Sequence, residues 1–246
     1  MPRVKGFLDL PYRLPFVRHY RAFDAGFYAD FDRQLDLMGR WLREFGCRRT
    51  LDIGAMTGGC IEHISKLGLR MDGVLFTPDI RRLARERLRK AGIASTLYVS
   101  PVHAVPAVPG RACYDGIVSL GWFNLPWASG TLDRYLRKIG DLLAPGGVFL
   151  FDFFEMRQAI VAPLEAVRLS DDLLYVSEAE RIGRRLRRRH RWILGERRLM
   201  AETSELVDRG PREARARLKS AGLEPVRTRF LDLHYPRHFW AARKVR

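Results

Sequence analysis

The sequence predicts an α/β chain, a doubly wound and mostly parallel sheet with helices on both faces. Three observations predict it. Short apolar runs alternate with amphipathic segments between residues 28 and 153. A glycine-rich turn, with Gly54, Gly58 and Gly59, directly follows the first apolar run. Two late runs, Leu223–Leu233 and Arg237–Ala242, read as an antiparallel pair joined at Pro236. Strands alternating with helices bury a parallel sheet between helical layers, and right-handed crossovers leave few topologies. Ligands of such sheets bind beyond the carboxyl ends of the strands, at the switch point.

The elements follow in order. Phe31, Leu35, Met38, Leu42 and Phe45 recur at steps of four and three, one face of a helix that Gly46 ends. Arg49–Ile53 is a short strand and Ile61–Leu67 a helix. Met71–Phe76 is the second strand, and Asp79–Ala91 a charged amphipathic helix between Pro78 and Gly92. Thr96–Val99 and Tyr114–Leu120 are the third and fourth strands. Thr131–Leu143 is a helix, followed by the turn Ala144-Pro145-Gly146-Gly147 and a fifth strand, Val148–Phe153. Arg185–Leu194 and Arg197–Val207 flank Gly195-Glu196 as a hairpin, and Pro211–Ala221 is a helix closed by Gly222.

The 246 residues suffice for one large domain with a well-buried core, and no linker or repeat divides them. No run of about twenty apolar residues predicts a membrane span, and the first residues lack a signal-peptide pattern, so a cytoplasmic location is expected. Cys47, Cys60 and Cys113 are odd in number and not in metal-ligand spacing, so neither a disulfide framework nor a metal site is expected. The net charge of +16, from 44 basic and 28 acidic residues, favours anionic partners. Arginine scattered through most of the chain is the plainer account of that charge.

Thr50-Leu-Asp-Ile-Gly-Ala-Met-Thr-Gly-Gly59 resembles the first motif of class I S-adenosylmethionine (SAM)-dependent methyltransferases. A strand brings Asp52 to its carboxyl end, Gly54 lets the backbone turn tightly against a ligand, and Gly58 lets the next helix begin close to it. Gly73–Ile80, Tyr114–Ser119, Leu142–Gly147 and Ala214–Lys244 resemble the family's later strands, turn and tail, in the right order. The resemblance implies a Rossmann-like methyltransferase fold with seven strands, an antiparallel final strand and a hairpin insertion. It further implies a methyltransferase domain over 28–246, a lid-like insertion at about 160–209 and an N-terminal segment, 1–27, that covers the cleft. The implied cofactor is SAM, held by Asp52, Gly54, Ala55, Thr57, Gly58, Leu75, Phe76, Val102, His103, Ser119 and Leu120.

Three positions depart from the family pattern. Met56 stands where the family has another glycine. Leu75 stands where an acid grips both ribose hydroxyls, and a leucine accepts no hydrogen bond; losing such a pair costs about 1.5–3 kcal/mol. Asp79, at the following helix start, is the substitute acid, or simply a favourable acid in a helix's first turn. Pro101 replaces an acid near the adenine.

On the acceptor side, Trp122, Phe123 and Asn124 are expected to line a substrate pocket. Asn124-Leu-Pro-Trp127 matches the motif of methyltransferases acting on base amines, although it follows the fourth strand about three residues late. The run Arg181–Arg191, with His190 and Trp192, reads either as a phosphate-tracking surface or as the solvated face of a hairpin. No catalytic base is identified; the candidate catalytic residues are Tyr20, among the N-terminal aromatics, and Asn124. The expected function is methylation of an N or O atom of a small metabolite, one that is anionic or carrier-bound if the charge takes part. The alternatives are a methyltransferase-like protein that has lost methyl transfer and a nucleic-acid base-amine methyltransferase.

Overall fold

A computed structural model describes residues 31–100, 106, 108–109, 113–125, 130–153, 164–168, 171–232 and 237–245. The first helix among the described residues, α1 (Phe31–Glu44), leads into β1 (Arg49–Ile53), α2 (Gly59–Lys66), β2 (Arg70–Leu75), α3 (Pro78–Lys90) and β3 (Leu97–Val99). Then come β4 (Tyr114–Ser119), α4 (Thr131–Leu142) and β5 (Leu143–Phe153). An inserted group, β6 (Leu164–Arg168), β7 (Leu173–Ile182), β8 (Arg185–Leu194) and β9 (Arg197–Val207), precedes α5 (Pro211–Ser220), β10 (Leu223–Leu231) and β11 (Arg237–Lys244).

The main sheet has seven strands in the order β10-β11-β5-β4-β1-β2-β3. Pairings from β5 through β3 are parallel, and the final strand β11 runs antiparallel to both its neighbours. The chain winds outward from β1 through β2 to β3, then returns to the other side of β1 to lay down β4 and β5. The switch point therefore lies between β1 and β4, and their carboxyl ends, Ile53 and Ser119, flank it.

Local chemistry explains the helices. Thr77 caps α3, its hydroxyl accepting from the Ile80 N–H at 3.2 Å, with Pro78 in the first turn. Asp79 lies in that turn and Arg87, Arg89 and Lys90 in the last, matching the helix dipole. Ile80, Ala84 and Leu88, spaced by four, are its buried stripe. In α4 the stripe is Leu132, Tyr135, Leu136, Ile139 and Leu142. The sheet's own centre is stacked phenylalanine: Phe149 and Phe151 lie 5.0 Å apart, and Phe123 packs on Phe151 and Phe153 at 5.4 and 5.6 Å.

Two expectations are corrected. The turn Ala144–Gly147 does not precede the fifth strand but lies inside it, since Tyr114 pairs with Leu143 and Gly116 already with Val148. The extra residues bulge outward. Gly147 is required there, because a Cβ would stand 3.0–3.1 Å from the carbonyl oxygens of Ala144, Asp115 and Tyr114. The insertion is a four-stranded antiparallel sheet, β6-β7-β8-β9, rather than a hairpin alone. Its two faces differ. Tyr175 pairs across strands with Trp192, rings 5.2 Å apart, and both are buried with Ser177 and Leu186. The opposite face carries Arg185, Arg187, Arg189 and Arg191.

Among the described residues no helix is long and apolar enough to cross a membrane, and no cluster of three His, Cys, Asp or Glu side chains could hold a metal ion. Cys47, Cys60 and Cys113 are free thiols. The segment 1–27 with Tyr20, the positions Pro101, Val102 and His103, and Pro126-Trp127 lie outside the described residues.

Candidate functional site

Asp52 is the penultimate residue of β1 and is buried at the switch point. Its carboxyl accepts a hydrogen bond from the Cys60 thiol, and burial outweighs that bond, pushing its pKa up to about 7. Beside Asp52 and Cys60, the buried Ser119 and Tyr135 hydroxyls lie 2.6 Å apart. Burial also pushes the Tyr135 phenol and the Cys60 thiol upward. Asp52, Cys60, Ser119 and Tyr135 thus form a buried polar cluster at the ends of β1 and β4.

The loop after β1 turns on itself. The N–H groups of Gly54 and Ala55 both donate to the Val74 carbonyl, at 3.0 Å each, and Gly58 N–H to that of Ala55 at 2.7 Å. Gly54 (φ 99°) and Gly58 (φ 83°) take the left-handed backbone this demands, and so does Met56 (φ 43°). A side chain with positive φ is uncommon; Met56 nonetheless takes this backbone and packs its side chain against the core. Gly58 precedes α2 and, having no side chain, offers no cap to the first N–H groups of that helix. Thr57 is buried, its hydroxyl 3.5 Å from the Arg87 guanidinium.

The loop after β4 leans over this turn. Trp122 lies against Gly54, its indole stacked on Tyr135 (5.9 Å, 7°) and tilted against Phe76 (5.1 Å, 51°). These rings, all buried, form a row across the carboxyl ends of β2, β1 and β4. Leu75, at the end of β2, is fully buried in the core, Ala55 is buried and Leu120 half-buried. Asp79 is half-buried and makes no side-chain hydrogen bond or ion pair with another described residue.

Of the acceptor-side candidates, Phe123 is held among Phe151 and Phe153, and the Asn124 amide donates to the Val207 carbonyl at 2.9 Å. Sequence reasoning missed what holds this loop. Gly121 N–H donates to the fully buried Asp152 carboxylate, which also takes a hydrogen bond from Arg237. Arg209, also buried, donates to the carbonyls of Phe123 (3.0 Å) and Leu125 (2.7 Å). Partners 31 to 86 residues apart leave no signal in local sequence.

Five arginines of the basic run make ion pairs within the chain, but they share three carboxylates, so the face keeps a positive excess. Arg185 and Arg187 pair with Glu205 at 3.1 and 3.3 Å, and Arg189 and Arg191 pair with Glu178. Arg184 pairs with Glu213 at 3.0 Å.

The strand order, with its antiparallel final strand, defines the fold, and solved structures share it. The chain has the class I methyltransferase fold. An S-adenosylmethionine-dependent methyltransferase from Clostridium acetobutylicum is similar with a TM-score of 0.79 at 16% identity, over 94% of this chain and 99% of that one. A sugar N-methyltransferase from Streptoalloteichus gives 0.76 at 22% identity, over 92% and 93%. A SAM-bound amino pentose methyltransferase of calicheamicin biosynthesis, from Micromonospora echinaspora, gives 0.73 at 19% identity, over 95% and 98%. No protein-family model matches the sequence, and no curated protein matches it either. Open α/β sheets take up ligands beyond the carboxyl ends of the strands at the switch point, which here falls between β1 and β4.

Proposed function

We propose that the chain is a SAM-dependent methyltransferase acting on an N or O atom of a small metabolite. One observation carries this reading: the buried Asp52 carboxyl and the uncapped amino terminus of α2 stand together at the switch point. A zwitterionic amino acid needs an anion for its ammonium and N–H donors for its carboxylate, and a helix amino terminus supplies the donors. The methionine end of SAM is such a zwitterion, so these residues fit it. When bound, SAM supplies an activated methyl group; the chain binds and orients it.

In this reading Asp52 takes the ammonium and the first turn of α2 the carboxylate. Ala55 and Thr57 shape the loop between them. The ribose hydroxyls meet Asp79, since Leu75 accepts no hydrogen bond. Phe76, with Val102 and His103, borders the adenine. Ser119, Leu120 and Trp122 wall the methyl end. Direct displacement needs an in-line nucleophile held close, and sometimes a base, so the insertion sheet as a lid and residues 1–27 as a cover would serve orientation and exclusion of water. Two of the structures named above, described as sugar and amino pentose methyltransferases, support a small acceptor.

Calorimetric titration with SAM and with S-adenosylhomocysteine (SAH) tests this reading. Micromolar binding, the product at least as tight, is expected; absence of binding at millimolar ligand would sink it. Methyl incorporation into a panel of amino sugars then asks for the acceptor.

A second reading is a methyltransferase fold that has lost methyl transfer. The row Phe76–Trp122–Tyr135 and the buried Leu75 favour it, since they fill space at the strand ends. Binding of SAM by Trp122→Ala, with none by the native chain, would decide for it. The base-amine reading draws less support. The Leu125 carbonyl, which that motif would use beside the Asn124 side chain, accepts from Arg209 at 2.7 Å, and the Asn124 Nδ2 donates to the Val207 carbonyl at 2.9 Å, so the loop would have to rearrange to polarise a base.

A further inference from the structure

We infer that Arg209 is a positioning residue for the cofactor end of the sheet, acting through the loop Gly121–Leu125 rather than on any ligand. This rests on the proposed methyltransferase reading.

Three successive loop carbonyls are received by one short stretch, residues 207–209. The Asn124 carbonyl accepts from the Val207 N–H at 2.7 Å, while those of Phe123 and Leu125 accept from the same Arg209 nitrogen, Nη1, at 3.0 and 2.7 Å. The Asn124 side chain returns a bond to the Val207 carbonyl at 2.9 Å. At the other end Gly121 N–H is fixed by Asp152, and inside the loop Leu125 N–H donates to the Trp122 carbonyl at 3.1 Å. The backbone on both sides of Trp122 is therefore tied down, and its indole is set against Gly54.

Burying a guanidinium is expensive unless every direction finds a partner. Arg209 is 7% exposed, and its Nε lies 3.3 Å from Glu213 in the first turn of α5, an ion pair without hydrogen-bond geometry. Burial and neighbouring cations pull its pKa down while Glu213 opposes them. The two donor groups do different things. Glu213 balances the charge, and Nη1 grips the loop. Val207 ends β9, so Arg209 joins the exit of the insertion sheet to the loop bearing Trp122. The exit of the insertion sheet is thus fixed to the loop that carries Trp122 over Gly54.

The split between the two donor groups gives the test. Arg209→Lys keeps a charged donor for the carbonyls and gives up the Glu213 contact. Glu213→Gln removes the ion pair and keeps the carbonyl grip. Arg209→Met removes both. All are made in the full chain and checked for fold by far-ultraviolet circular dichroism. SAH affinity by calorimetry is expected to fall about tenfold or more in Arg209→Met, the size of one lost charge-assisted bond, and to stay within about threefold in the other two. Amide hydrogen exchange of the peptide spanning residues 119–125 is expected to quicken in Arg209→Met alone.

Native exchange and native affinity in folded Arg209→Met overturn the proposal. So does faster exchange without a loss of affinity, or an equal loss in the Lys and Met variants. Should Arg209→Met not fold, Arg209→Gln, which reaches a single carbonyl, takes its place under the same criteria. If the native chain binds no SAH, the methyltransferase reading falls by itself. The exchange comparison still decides whether Arg209 holds the loop.

Discussion

The indole Nε1 of Trp122 lies 2.5 Å from the point a Cβ on Gly54 would occupy. The glycine and the tryptophan, 68 positions apart, are one packing unit at the switch point. Gly54→Ala meets two penalties there: a clash with the ring and a φ of 99° that side chains avoid. A loss of about 2–4 kcal/mol is expected in urea unfolding. Removing the ring as well, in Gly54→Ala/Trp122→Ala, should recover the clash and leave about 1 kcal/mol from the backbone. Strict additivity of the two single changes would contradict the contact.

Asp52 should make stability and cofactor binding depend on pH in opposite directions. Its pKa is raised from 3.8 to about 7, chiefly by burial. Between those values the unfolded chain has released the proton and the folded chain keeps it, so this group's contribution to stability falls as pH rises through the window. Asp52→Asn cannot ionise. Its stability relative to the native chain should therefore improve from pH 4 to pH 8, by on the order of 2–4 kcal/mol. Affinity for the cofactor's ammonium needs the carboxylate. It should rise in the native chain as pH passes about 7 and stay flat in Asp52→Asn. A stability gap that does not change with pH would mean the carboxyl is ionised normally.

Leu75 and Asp79 should respond differently to charge changes. Leu75 is fully buried, so Leu75→Asp places an unpaired carboxylate in the core and should cost about 2–4 kcal/mol without tightening SAM. Asp79→Asn should leave stability within about 0.5 kcal/mol and weaken SAM binding by about tenfold. Tighter binding by Leu75→Asp would reassign the ribose site to the end of β2.

The charge of +16 should not confer tight nucleic-acid binding through β8, because Glu178 and Glu205 lie among its guanidinium groups. In a mobility-shift titration with single-stranded RNA, retention at low salt should vanish near physiological salt. Retention that persists there, and that Arg187→Ala/Arg189→Ala abolishes, would restore a nucleic-acid role for this face.

Much of the fold is legible in the sequence because its signals are local. Spacing of three and four marks α1, α3 and α4, and glycines mark where the chain must reverse at Gly54 and Gly58. The order of strands and helices then restricts the sheet to a doubly wound form. Where the reading went astray, a local signal met a tertiary one. Ala144–Gly147 has the composition of a turn, yet pairing of Leu143 with Tyr114 draws it into β5 as a bulge. The strand β7 alternates Leu173, Tyr175 and Ser177 inward, but the pattern is too short and too polar to announce a strand before its partner β8 is known.

The sequence by itself determined the α/β class, the element order outside the insertion, the switch-point loop with Asp52, and the departures at Met56 and Leu75. Only the tertiary structure decided that Trp122 packs on Gly54, that Arg209 grips the carbonyls of Phe123 and Leu125, and that Glu178 and Glu205 each pair with two of the β8 arginines. The physical reason is range. Periodicity and backbone conformation act over a few residues. Ring packing and buried charge pairing depend on which distant strands become neighbours, and that is fixed only when the sheet closes around its core.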